Sequence, residues 1–349
     1  MKAYELEQIG QLVYKEVAKP VLHQGEVLVE VLAAGICGSD IPRIYETGTY
    51  HFPLIPGHEF AGRVVEVSDL TDERWIGKRV GVFPLIPCKT CQQCTQKEYE
   101  MCSDYNYLGS RCDGGFAEYV AVPVWNLIEI PNEMSMKEAA MLEPAAVALH
   151  ALRRVALHGD TTVALFGLGT IGCIMTQWLA DYGVKNVYAI GHHTEYGELM
   201  KKTANDAYSF CDAKTDNARE WVLDRTKETG VDLVIDCINS SKSLEDDLLC
   251  VRPKGQILMV GNPHAEIAID KNIYWKLLRK QVTVVGTWNS SFTKEEQDDW
   301  HQTILACVEN RLSLTELITH EFPFEDLEKG LRVMREKNVY RNKVMVVKK

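Results

Sequence analysis

Thr162-Val163-Ala164-Leu165-Phe166-Gly167-Leu168-Gly169-Thr170-Ile171-Gly172 is the stretch whose reading decides the fold. Five mostly apolar residues make a short buried strand, and glycines at G-x-G-x-x-G spacing follow it at once. An apolar helix then runs through Ile174-Met175-Thr176-Gln177-Trp178-Leu179-Ala180, and the next strand is Asn186-Val187-Tyr188-Ala189-Ile190. In this context the glycines allow a tight turn and a close backbone approach, and the helix N-terminus can carry a pyrophosphate. Gly167, Leu168, Gly169, Thr170, Ile171 and Gly172 are therefore candidate dinucleotide contacts. Further strands at 231–236, 255–260 and 281–285 alternate with helices, which predicts a doubly wound parallel sheet of the α/β class.

An acid at the end of the second strand would bind the adenosine ribose hydroxyls. That place holds Gly191, followed by His192, His193, Thr194 and Glu195. Glycine leaves room and histidines can donate to a 2′-phosphate, so NADP is admissible beside NAD. No arginine stands in the loop to clamp a phosphate, and the choice stays open.

Working back towards the N-terminus, the pattern changes. Residues 26–34 form a strand that the glycines of Gly35-Ile36-Cys37-Gly38-Ser39-Asp40 release into a turn. A second turn, Pro53-Leu54-Ile55-Pro56-Gly57-His58-Glu59-Phe60, precedes a strand over 62–67, and short strands recur near 79–82 and 116–122. Many short strands punctuated by Gly and Pro predict a small barrel-like β unit.

Two groups in this region carry metal chemistry. Cys88, Cys91, Cys94 and Cys102 have the spacing C-x2-C-x2-C-x7-C, suited to one tetrahedral zinc closed to water. The ion would staple a loop over 88–102 that is otherwise long for an ordered connection. Cys37, His58 and Glu59 come from two glycine-flanked turns, and together make a sensible donor set for a zinc that keeps a position open. Taken singly they read as a small buried hydrophobe, a satisfied core histidine and a surface charge. Glu143, in an apolar run, reads either as a helix-capping acid or as a further carboxylate for that zinc. Asp40 is placed to accept from the second ring nitrogen of a metal-bound histidine.

Bulk properties narrow the class. A chain of 349 residues is long for one core, which favours two domains. A net charge of −11 argues against a nucleic-acid partner. Met1-Lys2-Ala3-Tyr4-Glu5-Leu6-Glu7 alternates like an edge strand and lacks an apolar signal region, and no apolar run is long enough to span a membrane. Eleven cysteines, an odd number, fit a reducing cytoplasm.

These pieces in this order resemble the zinc-dependent medium-chain dehydrogenase/reductase family, the alcohol dehydrogenase superfamily, over essentially the whole chain. The carrying residues are Gly35-Ile36-Cys37-Gly38-Ser39-Asp40, Pro56-Gly57-His58-Glu59-Phe60-Ala61-Gly62, the four-cysteine lobe, Asp113-Gly114-Gly115-Phe116-Ala117-Glu118-Tyr119, Leu142-Glu143-Pro144 and the glycine loop. Glutamate at 143 is similar to the polyol and threonine dehydrogenase branch. Cys37-Gly38-Ser39-Asp40-Ile41-Pro42-Arg43-Ile44 and Leu108-Gly109-Ser110-Arg111-Cys112-Asp113-Gly114-Gly115 are most similar to its polyol-phosphate enzymes.

The resemblance implies a GroES-like β-rich catalytic domain over 1–148, a Rossmann NAD(P)-binding domain over 149–289, and a return of 290–349 to the catalytic domain. It implies a catalytic zinc on Cys37, His58 and Glu59, with Glu143 direct or through water, besides the structural zinc of the cysteine lobe. Ser39 would take the proton of a secondary hydroxyl while hydride passes to nicotinamide. A polyol phosphate, galactitol 1-phosphate first, is the implied substrate, with Arg43 and Arg111 as candidate phosphate contacts. Ribitol 5-phosphate, sorbitol and threonine are the alternatives, and a catalytically silent cofactor-binding protein is the non-enzyme alternative. Relatives pair as homodimers or homotetramers through Rossmann strands. The chain departs from the pattern where many relatives carry a relay histidine shortly after Ser39: it has Pro42 and Arg43.

Overall fold

The structure is a computed structural model describing residues 1–336 and 338–348. It divides into two compact units. Met1–Pro144, Ser291–Val308 and Ile318–Lys349 form the first, and Ala145–Ser290 with Glu309–Leu317 the second.

The first unit is built on a seven-stranded sheet whose central member is the strand Glu26–Ile36. Val27, Val29 and Val31 alternate into its core, as period-two patterning requires. This strand changes partners along its length. Glu26 to Glu30 pair with Tyr119–Pro123, while Ala33 to Ile36 pair with the last strand, Lys343–Val347. Its other edge pairs throughout with Glu59–Val67. The strand runs through Gly35 rather than ending there, because Gly35 is paired on both sides, with Glu59 and with Met345.

Burial explains why the chain's end belongs to this unit. Val344 and Val346 are fully buried in one cluster with Ile36 and Leu331. Each such side chain contributes about 1.5–3 kcal/mol. Phe292 and Trp300, fully buried as well, pack on Phe83 with ring centroids 4.9 and 5.7 Å away. A hairpin, Lys2–Gln8 with Gln11–Glu16, lies beyond the sheet and turns at Gly10.

The second unit is a six-stranded, wholly parallel sheet. In spatial order its strands are Ser209–Asp212, Asn186–Gly191, Thr162–Phe166, Val231–Asp236, Val251–Met259 and Thr283–Gly286. Chain order therefore reverses direction beside Thr162–Phe166, the place where open α/β sheets bind ligands. Buried Ala164, Phe166, Ile190, Val234 and Ile257 belong to its core. Among the described residues no helix is long and apolar enough to cross a membrane.

Candidate functional site

In the first unit, Cys37 begins the turn after Glu26–Ile36 and His58 immediately precedes Glu59–Val67. Antiparallel pairing of those strands sets Gly35 opposite Glu59, so the two turns face each other at one end of the sheet. One donor atom each from Cys37, His58 and Glu59 lies within 4.8 Å of the others. His58 and Glu59 are buried and Cys37 partly so. Thiolate, imidazole and carboxylate at this spacing fit a single zinc ion.

The surroundings of the three donors are specific. Ser39 Oγ donates to Cys37 Sγ at 3.3 Å, so the hydroxyl stands beside the donor set. Asp40 is fully buried, accepts from the Cys37 N–H at 2.9 Å and from Arg43 Nη1 at 2.8 Å, and has Oδ1 3.4 Å from His58 Nδ1. Burial alone would push the Asp40 carboxyl up, but His58, Arg43 and the Cys37 N–H hold it below the usual carboxylate range. His58 Nδ1 has no well-aligned hydrogen bond despite its depth. A ring whose other nitrogen binds a cation donates from that atom, and Asp40 is the acceptor in reach.

Glu143 opens the helix Leu142–Leu152 and is buried, accepting from the Tyr107 hydroxyl at 3.4 Å. Its carboxyl is raised to about 7 by burial, with the charge of Glu59 adding to the rise and that of His58 opposing it. Glu143 lies outside the three-donor group, as an acid near its edge. Tyr107 itself, its ring 6.0 Å from that of His58, is pushed well up by burial and by Glu143.

Two residues here were not foreseen from sequence. Tyr107 ends the two-residue strand Asn106–Tyr107, too short to leave a periodic signal in its polar surroundings, and belongs to no motif of its own. Lys343, almost fully buried, donates its ammonium to Glu59 Oε2. The available signal was a lysine heading the apolar run Val344-Met345-Val346-Val347, but its partner lies 284 residues away.

The two candidate phosphate arginines differ. Arg43 has Nη1 committed to Asp40. Arg111 is sandwiched between the rings of Tyr50 and Tyr105, with Cζ 4.2 Å from each centroid. It also donates to the Tyr105 carbonyl at 2.9 Å and to the Tyr50 hydroxyl at 3.1 Å.

Cys88, Cys91, Cys94 and Cys102 converge as a second group. Sulfur pairs lie 4.0 Å (Cys88–Cys94) and 3.9 Å (Cys91–Cys102) apart. The edge of a tetrahedron of sulfurs ~2.3 Å from a zinc is about 3.8 Å, so the spacing fits. Backbone N–H groups of Thr90 and Cys91 point at Cys88 Sγ, at 3.5 and 3.3 Å. Cys91 is drawn down to about 5 by the N–H groups of Cys94 and Ser103, whereas burial lifts Cys94 to about 12. All eleven cysteines are free.

In the second unit, Gly167 leaves the strand Thr162–Phe166 with φ +98°, a value few other residues adopt. Gly169 caps the helix Thr170–Asp181 with no side-chain hydrogen bond, and the space where its Cβ would stand is open. A Cβ on Gly172 would come 2.1 Å from the Gly167 carbonyl oxygen. Bare backbone at an uncapped helix N-terminus fits a pyrophosphate. Gly191 ends its strand, His192 is exposed, and His193 caps the next helix with Nε2 3.4 Å from Lys214 Nζ. Lys214 was not foreseen, because it follows a different strand.

Known proteins resemble the chain along nearly its whole length. The alcohol dehydrogenase GroES-like domain matches residues 23–132, and the zinc-binding dehydrogenase family matches residues 170–310. Over 340 residues the chain is 31% identical to galactitol 1-phosphate 5-dehydrogenase of Escherichia coli K12, covering 96% of each. A crystal structure of galactitol-1-phosphate dehydrogenase from Escherichia coli is similar with a TM-score of 0.89 and 31% identity, covering 99% of this chain and 100% of that one. An alcohol dehydrogenase from Escherichia coli CFT073 in complex with NADH is similar with a TM-score of 0.88 and 26% identity, covering 99% of each chain. The chain belongs to the zinc-binding medium-chain dehydrogenases, in their polyol branch, and is an NAD(P)-dependent alcohol dehydrogenase.

Proposed function

We propose that the chain oxidises a secondary hydroxyl of a polyol phosphate, galactitol 1-phosphate first, and that Cys37, His58 and Glu59 hold the metal for that step. The observation that carries the reading is the convergence of these donors within 4.8 Å, with the Ser39 hydroxyl hydrogen-bonded to one of them. Zinc in such a set supplies Lewis acidity that lowers the pKa of a hydroxyl, and a bound NAD(P) accepts hydride.

Each of the chain's own groups then has a task. Ser39 would take the hydroxyl proton at Oγ as it gives up its own to a cofactor ribose hydroxyl or to water. Asp40 fixes the ring of His58, and Arg43 keeps Asp40 ionised. Glu143, poised near neutrality, ligates directly or through water. Gly167 to Gly172 hold the cofactor pyrophosphate on backbone, and Gly191 and His192 border its adenosine ribose. Lys214 beside His193 favours a cofactor bearing a 2′-phosphate.

Arg111 is the better phosphate contact, since two tyrosine rings hold its guanidinium in place before any substrate arrives. The commitment of Arg43 to Asp40 favours a second reading, an unphosphorylated polyol such as sorbitol. A reducing, cytoplasmic setting accords with eleven free cysteines.

Self-association through the second sheet is also proposed. Thr283–Gly286 is an edge strand with Val284 exposed, and the helix Lys271–Lys280 buries none of its residues. Tyr274, Trp275, Leu278 and Trp288 are about half exposed nearby in sequence. A homodimer or homotetramer would cover them.

Turnover measured as NAD(P)H absorbance, with NAD and with NADP, on galactitol 1-phosphate, ribitol 5-phosphate, sorbitol and threonine tests the substrate. A higher kcat/KM for sorbitol than for either phosphate would overturn the phosphate reading. So would an Arg111→Ala variant with an unchanged KM for galactitol 1-phosphate.

A further inference from the structure

Lys343 and Glu59 form an ion pair in which neither side chain exceeds 3% exposure. A lysine this deep stays charged only beside an anion.

Strand register explains how the two meet. Gly35 stands between Glu59 on one neighbouring strand and Met345 on the other. Lys343 lies two residues before Met345, on the same face of its strand. To reach the ammonium, the Glu59 carboxylate crosses the bare backbone of Gly35. A Cβ at Gly35 would come 2.2 Å from Glu59 Oε2.

Arg43 is paired with Asp40, and Lys343 is paired with Glu59. One oxygen of Glu59 is thus committed to an ammonium while the residue stands among the metal donors.

We propose that Lys343 is a positioning residue that divides the Glu59 carboxylate between itself and the catalytic metal, and that Gly35 is the gap that makes this possible. With the ammonium in place, Glu59 is a weakened ligand, and a coordination position remains accessible to a substrate hydroxyl. Without it, the carboxylate turns wholly to the metal, which is held more tightly and is a poorer Lewis acid. The inference rests on Cys37, His58 and Glu59 being the metal donors.

The test uses cobalt-substituted protein, reading the visible absorption bands and the rate of cobalt loss to a chelator. Lys343→Met should shift the bands and slow metal loss by about tenfold or more, the scale on which groups behind the ligands act. Gly35→Ala, which displaces the carboxylate from the ammonium, should change both in the same direction. Lys343→Arg should keep wild-type behaviour. Should Lys343→Met fail to fold, Gly35→Ala gives the same reading, with Lys343→Arg as its control. Unchanged bands with equal or faster cobalt loss in Lys343→Met, or in Gly35→Ala where Lys343→Met does not fold, overturn the inference. Wild-type protein that binds cobalt at the cysteine lobe alone instead overturns the donor assignment.

Discussion

Arg43 and Asp40 stand one helical turn apart, with Nη1 of the arginine 2.8 Å from Oδ1 of a carboxylate that has no solvent exposure. The same oxygen faces His58 Nδ1. Removing one partner of a buried ion pair costs about 3–5 kcal/mol, because the remaining charge is stranded. Arg43→Met should therefore lower stability by about that amount in urea unfolding. Arg43→Lys, which keeps the charge and loses the fork, should lose less. An unchanged midpoint for Arg43→Met would mean that solvent, not Arg43, compensates Asp40.

Among the described residues two donor groups stand together, and on the proposed assignment each holds one zinc ion. Metal analysis should find two equivalents, falling to one in Cys37→Ala and to one in Cys91→Ser. Turnover in Cys37→Ala should drop by about three powers of ten or more, since the metal supplies several kcal/mol of stabilisation to the reaction. Cofactor binding, followed by NAD(P)H fluorescence, should survive. Residual turnover near wild type would remove Cys37 from the donor set.

Asp247 sits in the second unit with both carboxylate oxygens buried, beside the carboxylate of Asp236. Burial and then the charge of Asp236 push its carboxyl well above the usual range. The folded chain thus holds a proton that the unfolded chain releases near pH ~3.9. Stability contributed by that proton is lost as pH rises from there to the raised value. Asp247→Asn should escape this loss and gain on the order of 1–3 kcal/mol over wild type at mildly alkaline pH. Urea midpoints that run parallel across the pH range would refute the assignment.

The exposed edge strand Thr283–Gly286 gives the association proposal its test. A lysine on an edge discourages pairing with a second strand. Val284→Lys should lower the mass seen in analytical ultracentrifugation to that of one chain, with metal content unchanged. A variant that sediments like wild type would place the contact elsewhere.

Legibility from sequence followed the range of the interactions. Strands Thr162–Phe166 and Val231–Asp236 were readable to the residue, because apolar runs bounded by glycine or polar residues are local signals. Gly35 was misleading. Glycine usually marks a turn, but here it is needed for the close passage of the Glu59 carboxylate, and the strand continues through it. The hairpin partner Gln11–Glu16 and the strands Ile318–Pro323 and Lys343–Val347 went unread, since pairing rather than local pattern defines them. At the site, residue types named Cys37, His58 and Glu59, but only strand register shows how near they stand. Lys343 and Lys214 were invisible for the same reason.

The position of Lys343 also bears on how the protein is made. Apart from residues 309–317, the second unit is one continuous stretch and can fold as it emerges during synthesis. The first unit cannot: its central strand lacks a neighbour, and Glu59 lacks its counter-cation, until residues 343–347 have been translated. The donor turns are thus synthesised early and completed last. Ribosome-bound chains arrested before residue 343 should therefore show a protease-resistant second unit beside a protease-sensitive first. Equal resistance in both would show that the sheet forms without its final strand.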